Sequence, residues 1–437
     1  ILLILFFLIR FISHAISGYK VYEYPKLRQN VEDDLTNNIK VSNTEGRSLT
    51  ASEKIDDFNQ LIGMIEKSFT PDERNFSNYK ILISKKDEFR KRVSKTKTDD
   101  EFYDIIDEFL AILNDDDYKR IKKKRYDNLL KYYKDVDEEN PWKEAIENPR
   151  AIDRYQRLIE SENLDYDTNL ELNLSENKKI LVISIDDFLR ENASSDKKKI
   201  DDFMKENKTI ENVIIDLSNV SSGDNEYWVN VFSETFIKNK INLKNRVLYR
   251  SDINDEYLKY LSNKSLWHFT DYKKHLLDYN KNYKGINLND YMYYDDMNIK
   301  FDGHNRDFNL YIIVNSNTKN AAETFACIMQ VTNNASVVGQ KSFGDALGIS
   351  NTYHVLKHSG LIIELNTTKP VNYFGNIDSI NPLNPNLTIN SEDIVKTVEE
   401  KINNNSIDKE IDYFKNEDII KSLDNDENIE VKEKNKR

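Results

Sequence analysis

The sequence predicts an α/β protein whose sheet is preceded by a helical segment. Three observations carry this. From Ala51 onward, apolar residues recur at three- and four-residue spacing (Ile55, Phe58, Ile62, Ile65, Phe69), the period of one helix face. From residue 171 the pattern changes to short apolar runs of strand composition: KILVISI (179–185), NVIIDL (212–217), RVLYR (246–250), NLYIIV (309–314), ASVVG (335–339) and GLIIEL (360–365). Helical patterns at 198–206, 226–238, 255–262 and 320–330 stand between several of these runs. Strand and helix in alternation build layered α/β architectures.

The chain opens with nine consecutive apolar residues, Ile1 to Ile9. A bilayer span needs about 20 residues. The run matches instead the apolar core of a secretion signal, and Ser13-His14-Ala15 is a passable cleavage site. Residues 1–18 are therefore expected to be a signal peptide or a membrane anchor, with a buried N-terminal strand as the alternative. The protein is then extracytoplasmic, secreted or held at the membrane through its N-terminus. Residues 19–50 are polar and aperiodic, a linker. A helical domain is expected over 51–170: Thr70-Pro71 stops its first helix, and others follow near 80–93 and 99–113. It continues to about Leu158, broken at Pro141 and Pro149. The α/β core spans 171–402 and ends in a helix near Asp393 to Ile402. Residues 403–437 are polar, with too few apolar side chains to fold alone, and read as a disordered tail.

Composition narrows the chemistry. The 437 residues carry 63 basic and 76 acidic side chains, a net charge of −13, so the basic field that nucleic acid requires is absent. The one basic run, KRIKKKR at 119–125, reads as a solvated face of a helical segment. A single cysteine, Cys327, excludes an internal disulfide and a cysteine-built zinc cluster, and its apolar neighbours make it a small core residue. Asp115, Asp116 and Asp117 are consecutive, so their carboxylates are expected to diverge around a helix end. No His or second acidic cluster stands near them in sequence, and neither a metal nor another cofactor is expected.

The chemistry-bearing pattern lies between Tyr311 and Gly348. A strand ends at Val314, and Asn315, Thr318 and Asn320-Ala321-Ala322-Glu323 lead into a helix, the kind of turn on which enzymes mount a nucleophile. Val338-Gly339-Gln340, Gly344-Asp345-Ala346-Leu347-Gly348 and His358-Ser359-Gly360-Leu361 follow in order. Upstream stand DEFYDIIDEFLAILNDDD, ending at Asp117, and VIIDLSNVSSG, ending at Gly223. Taken together and in this order, these motifs resemble the tail-specific, or C-terminal processing, serine peptidases, tricorn-like branch, over roughly residues 51–402.

The resemblance implies a crotonase-like (ClpP/crotonase-type) core preceded by an N-terminal helical unit. It also implies where the family's catalytic positions fall. The nucleophilic Ser falls on Asn320, the general-base His on Asp117 and the supporting Glu on Ser379. The glycine pair of the oxyanion region falls on Ser221 and Ser222, with Gly223 after them and Ala321 beside the nucleophile position. The Lys of the family's dyad branch falls on Asp345. An amide side chain is no nucleophile, and an ordinary carboxylate with a pKa of about 4 is poorly matched to activating a hydroxyl. Substitute hydroxyls exist at Ser316, Thr318, Ser342 and Ser350, but His354 and His358 belong to a later hairpin-like segment. Asn320 and Glu323 are also spaced as a helix-capping pair. The expectation is a catalytically inactive peptidase homologue that binds peptide or protein segments. An active serine peptidase with a relocated group and a structural surface protein are the alternatives.

Overall fold

The computed structural model describes residues 47–70, 75–159, 170–262, 275–276, 287–346, 348–373 and 382–412. The chain clusters into two compact units, Ile1–Leu49 and Thr50–Arg437. The expected signal or anchor lies outside the described residues, as does nearly all of the expected linker. Every described helix and strand belongs to the second unit. Among the described residues, no helix is long and apolar enough to cross a membrane.

Thr50 starts the Ala51–Ser68 helix with a capping box: its Oγ1 accepts the Glu53 N–H, and the Glu53 carboxylate accepts the Thr50 N–H. The apolar face read from the sequence is buried. Phe58 meets Phe109 edge-on at 5.0 Å, and Phe89 packs on the same ring at 5.1 Å, joining the helices Ala51–Ser68, Phe76–Val93 and Asp99–Ala111. The basic run behaves differently from expectation. Lys119–Arg120 is a short strand rather than helix, paired antiparallel with Ile362–Leu365. Arg120 is buried on Asp107, with two bonds of 3.0 and 2.7 Å, and Arg125 is buried against Glu364. None of the seven residues is fully exposed. Lys123 pairs locally with Asp127, but Arg120 and Arg125 find their carboxylates on other elements, which a local charge count does not see.

Six strands form the main sheet, in the order Leu387–Thr388, Ser336–Gly339, Asn309–Val314, Asn212–Asp216, Ile180–Ser184, Glu171–Leu174. All neighbours run parallel except the last pair. Parallel strands are covered on both faces, which explains their near-continuous apolar composition. Val182, Ile214, Tyr311 and Ile313 share a core with Val398, Ile402, Ile407 and Ile411. The chain therefore stays folded past Ile402, where the sequence pattern suggests a polar tail: a short helix, Ile407–Glu410, follows, and Ile407 and Ile411 are both buried. Strand alternation points Leu181, Ile183, Val213, Ile215, Leu310 and Ile312 the other way, and these are buried as well. A ring cluster of Phe188, Tyr227, Phe232 and Phe325 ties the Asn225–Phe236 and Asn320–Val331 helices together.

Two antiparallel sheets complete the unit. One runs Lys369–Tyr373, Ile241–Tyr249, Tyr293–Phe301, His275–Leu276. Tyr293–Phe301 pairs with Ile241–Tyr249 over the full length of both strands, longer than RVLYR alone suggests. The other runs Lys119–Arg120, Ile362–Leu365, Thr352–Val355. Its register places Asp117, Asn351 and Asn366 together at one end, just before or after their strands. Trp142 fixes that end by donating from Nε1 to the Asn351 carbonyl at 2.7 Å.

Candidate functional site

The turn between strand Asn309–Val314 and helix Asn320–Val331 is closed by its own side chains. Thr318 Oγ1 accepts the Asn315 N–H at 3.1 Å and donates to the Leu217 carbonyl at 2.9 Å. Asn320 then takes a left-handed backbone, φ +55°, and its N–H donates to the Asp345 carbonyl at 2.9 Å. Asn is among the few residues that visit this region readily. The capping pair expected from spacing does not form. Lys319 is the N-cap residue and makes no side-chain cap bond. Glu323 turns instead to the following loop, accepting the Asp345 N–H at 2.8 Å, the Gly344 N–H and the Ser342 hydroxyl. Burial pushes its carboxyl up to about 7, with the Ser342 bond and the Asp345 N–H opposing.

The Asn320 side chain, only 1% exposed, points across to the three-stranded sheet. Its Nδ2 donates to Asp117 Oδ1 at 2.9 Å and to the Ser221 carbonyl at 3.2 Å. Asp117 is buried too and is held by three amides: Asn320 and Asn351 on Oδ1 (2.9 and 3.0 Å) and Asn366 on Oδ2 (3.3 Å). Burial first, then the Asp345 charge, raises its carboxyl to about 6. The positions expected for nucleophile and base are thus in direct contact. Ser379, the third expected position, lies outside the described residues.

Around the expected oxyanion region the polarity is reversed. Ser221 faces Asn320 with its carbonyl oxygen, where stabilising a developing anion takes N–H donors. Ser222 Oγ donates to Asp187 Oδ1 at 3.0 Å, away from Asn320. Gly223 has φ +120°, and a Cβ there would lie 2.5 Å from the Phe188 Cβ. Only glycine fits. Ala321 is completely buried. The loop sits directly on the start of the helix, with the Lys319 N–H donating to the Val220 carbonyl at 3.2 Å.

The acidic run is only partly divergent. Asp116 points out to Lys319, Oδ2 to Nζ 3.0 Å. Asp115 turns back and accepts the Asp117 N–H at 3.1 Å. Asp345 arrives from the loop after the sheet, and one carboxylate oxygen from each of Asp115, Asp117 and Asp345 lies within 4.8 Å of the others. This one residue supplies the further acidic group that the neighbouring sequence lacks. Lys369 Nζ lies 2.9 Å from Asp345 Oδ1. A recess of about 110 Å³ opens beside them, lined in part by Leu113, Asp115, Lys319, Asn320, Phe343 and Asp345.

Two of the four substitute hydroxyls are taken up by the fold. Thr318 is fully buried in the turn, and Ser342 Oγ is taken up by Glu323 and by the Leu383 N–H at 2.6 Å. One hydroxyl–imidazole contact exists that local spacing does not suggest, Thr352 Oγ1 to His354 Nε2 at 2.8 Å. Thr352 is fully buried within its sheet, and burial pushes His354 down to about 4. Cys327 is buried, and burial followed by the Glu323 charge pushes its thiol up, as suits a core residue.

Residues 179–381 match the family model described as Peptidase family S41, the family that the motifs resemble. Among solved structures it is similar to a lipoprotein from Streptococcus agalactiae: 15% identity, 82% of this chain and 96% of that one, TM-score 0.44. It is similar to a photosystem II D1 C-terminal processing protease at 11% identity, covering 80% and 96% of the two chains, TM-score 0.40. For a structure of mature CPAF the values are 11%, 78% and 93%, TM-score 0.41. The search of curated proteins returned no match. At these scores the structural likenesses carry no argument about chemistry, and the family match stands on its own.

Proposed function

We propose that this chain is an exported member of Peptidase family S41 that has lost hydrolysis and acts by binding peptide or protein segments, on a crotonase-like core with a helical unit ahead of it. One observation carries the loss of hydrolysis. At the two positions where the family resemblance implies a nucleophile and its base, a buried amide donates a hydrogen bond to a buried carboxylate, Asn320 Nδ2 to Asp117 Oδ1 at 2.9 Å. The amide nitrogen has no lone pair to attack a carbonyl, and its proton is not transferable to a carboxylate at any working pH. The Ser221 carbonyl beside it would repel an oxyanion.

Binding is the function left to the scaffold. Phe343, 44% exposed, stands at the recess with the Lys319 ammonium 5.2 Å from its ring. An exposed aromatic beside a cation and a polar recess suits an extended peptide better than a small apolar ligand. The family match supports a peptide or protein partner, and the apolar start of the sequence supports export.

The test is to incubate the full chain with a diverse peptide mixture and read every product by mass spectrometry, beside an active family member. Intact peptides, with a subset retained on the immobilised chain, are expected. Cleavage that survives purification and disappears in Ser342→Ala or Ser350→Ala would overturn the reading in favour of a rebuilt active site. No retained peptide and no cleavage would leave a structural surface protein.

A further inference from the structure

We propose that Asp115, Asp117 and Asp345 form a binding site for one divalent cation of the calcium class, with the Asn320 side-chain oxygen as a neutral fourth donor. Four independent features support it. The first is spacing: one oxygen from each carboxylate lies within 4.8 Å of the other two. Calcium takes oxygen ligands at about 2.3–2.6 Å, so any two of its donors stand no more than about 5.2 Å apart, and the three carboxylates meet that condition. Magnesium dehydrates reluctantly and is seldom held in a cage built wholly of protein oxygens.

The second feature is an orphan. Asn320 is 1% exposed and lines the same recess as Asp115 and Asp345, yet its Oδ1 has no hydrogen-bond partner. A buried amide oxygen without a donor is uncommon and asks for a ligand. Its Nδ2 is committed to Asp117, which fixes the orientation of the amide. Asn351, whose Nδ2 holds the same carboxylate, also has an unpartnered Oδ1.

Charge is the third. Three carboxylates less the Lys369 ammonium on Asp345 leave two negative charges, the complement of a dication. Asp116 does not take part, because its carboxylate is turned out to Lys319. Space is the fourth. A recess of about 110 Å³, lined by Asp115, Asn320 and Asp345 with Asp117 behind them, gives room for water on the open side of an ion. Such an ion would bridge the segment before the Lys119–Arg120 strand and the loop after the main sheet, beside the position that resembles a nucleophile's seat.

The experiment is calorimetric titration of the EDTA-treated full chain with calcium chloride, and separately with magnesium chloride. One saturable site per chain is expected, at least tenfold tighter for calcium. Asp115→Asn and Asp345→Asn should each weaken it at least tenfold, while Asp116→Asn stays within twofold of wild type. Circular dichroism in EDTA establishes that each variant is folded. Should Asp345→Asn unfold through loss of its Lys369 pair, Asp115→Asn decides the matter, since an Asn oxygen there still accepts the Asp117 N–H. No saturable binding at millimolar calcium, unchanged binding in folded Asp115→Asn, or equal affinity for magnesium would each overturn the proposal. None of these outcomes depends on whether peptides bind.

Discussion

Replacing Asn320 by Ala, and separately by Gly, divides the work of this residue into side chain and backbone. Both variants lose the bond to the Asp117 carboxylate and the bond to the Ser221 carbonyl. A hydrogen bond to a charged group contributes about 1.5–3 kcal/mol and a neutral one about 1. Removing the unpartnered Oδ1 returns about 1 kcal/mol of desolvation cost. The side-chain loss is therefore about 2 kcal/mol. At φ +55° Ala also pays about 1–2 kcal/mol for the left-handed backbone, which Gly escapes while losing about 0.5–1 kcal/mol in the unfolded chain. Asn320→Ala is expected to cost about 3 kcal/mol and Asn320→Gly about 0.5–1 kcal/mol less than that. Urea unfolding in EDTA, followed by the fluorescence of buried Trp142 and Trp228, measures both. An Ala variant within about 0.5 kcal/mol of wild type would refute the buried contact. A Gly variant less stable than the Ala variant would refute the left-handed turn.

Three further outcomes are expected. The Glu191 side chain is 1% exposed, and burial pushes its carboxyl up to about 7, the Arg125 charge pulling back. Because the folded value lies above the unfolded 4.5, the folded state holds its proton longer, and stability falls as pH rises between the two and stays reduced above about 7. Glu191→Gln should therefore match wild type near pH 4.5 and exceed it by about 3 kcal/mol at pH 8, read from urea midpoints; a pH-independent difference would sink this account. Gly223→Ala, with φ +120° and Phe188 in the way, should lose about 2–4 kcal/mol, and an unshifted melting temperature would show that the loop can move. The double change Asn320→Ser with Asp117→His should still leave fluorogenic peptides uncut, because the Ser221 carbonyl remains where an oxyanion would form. Measurable turnover by that variant would show that the loop rearranges around a serine.

Local pattern reached most of the sheet that carries the site. The run NLYIIV occupies the strand read from it, Asn309–Val314, because a central parallel strand must be apolar on both faces. Tyr293–Phe301 was invisible: YYDDMNIKF has neither an apolar run nor clean alternation, and pairing along Ile241–Tyr249 supplies what composition does not. Thr352–Val355 hid for the same reason, a Tyr-His pair in a short edge strand. The site residues failed in a different way. Capping rules look three residues along the chain, whereas the partner of Asn320 is 203 residues away. The same blindness made Arg120 and Arg125 look solvated and Asp345 look unrelated to Asp117. What linked residues 117 and 320 beforehand was the order of motifs, which stands in for a contact map when no local rule can.

The contact between Asn320 and Asp117 has a direction. In a serine–histidine pair the nucleophile's hydroxyl donates and the imidazole accepts. Here the residue at 320 still donates and the residue at 117 still accepts, at an ordinary hydrogen-bond length of 2.9 Å. The direction of the bond is the same while the ability to move its proton is gone. Two more amides, from Asn351 and Asn366, donate to the same carboxylate, so its orientation is fixed. A site decaying without constraint would leave buried polar groups unpaired at random. The contact between residues 320 and 117 lies in a fixed donor–acceptor network, with two amide oxygens unpartnered beside three carboxylates. A network of that kind holds the helix start, the Ser221 loop and the end of the three-stranded sheet in one arrangement.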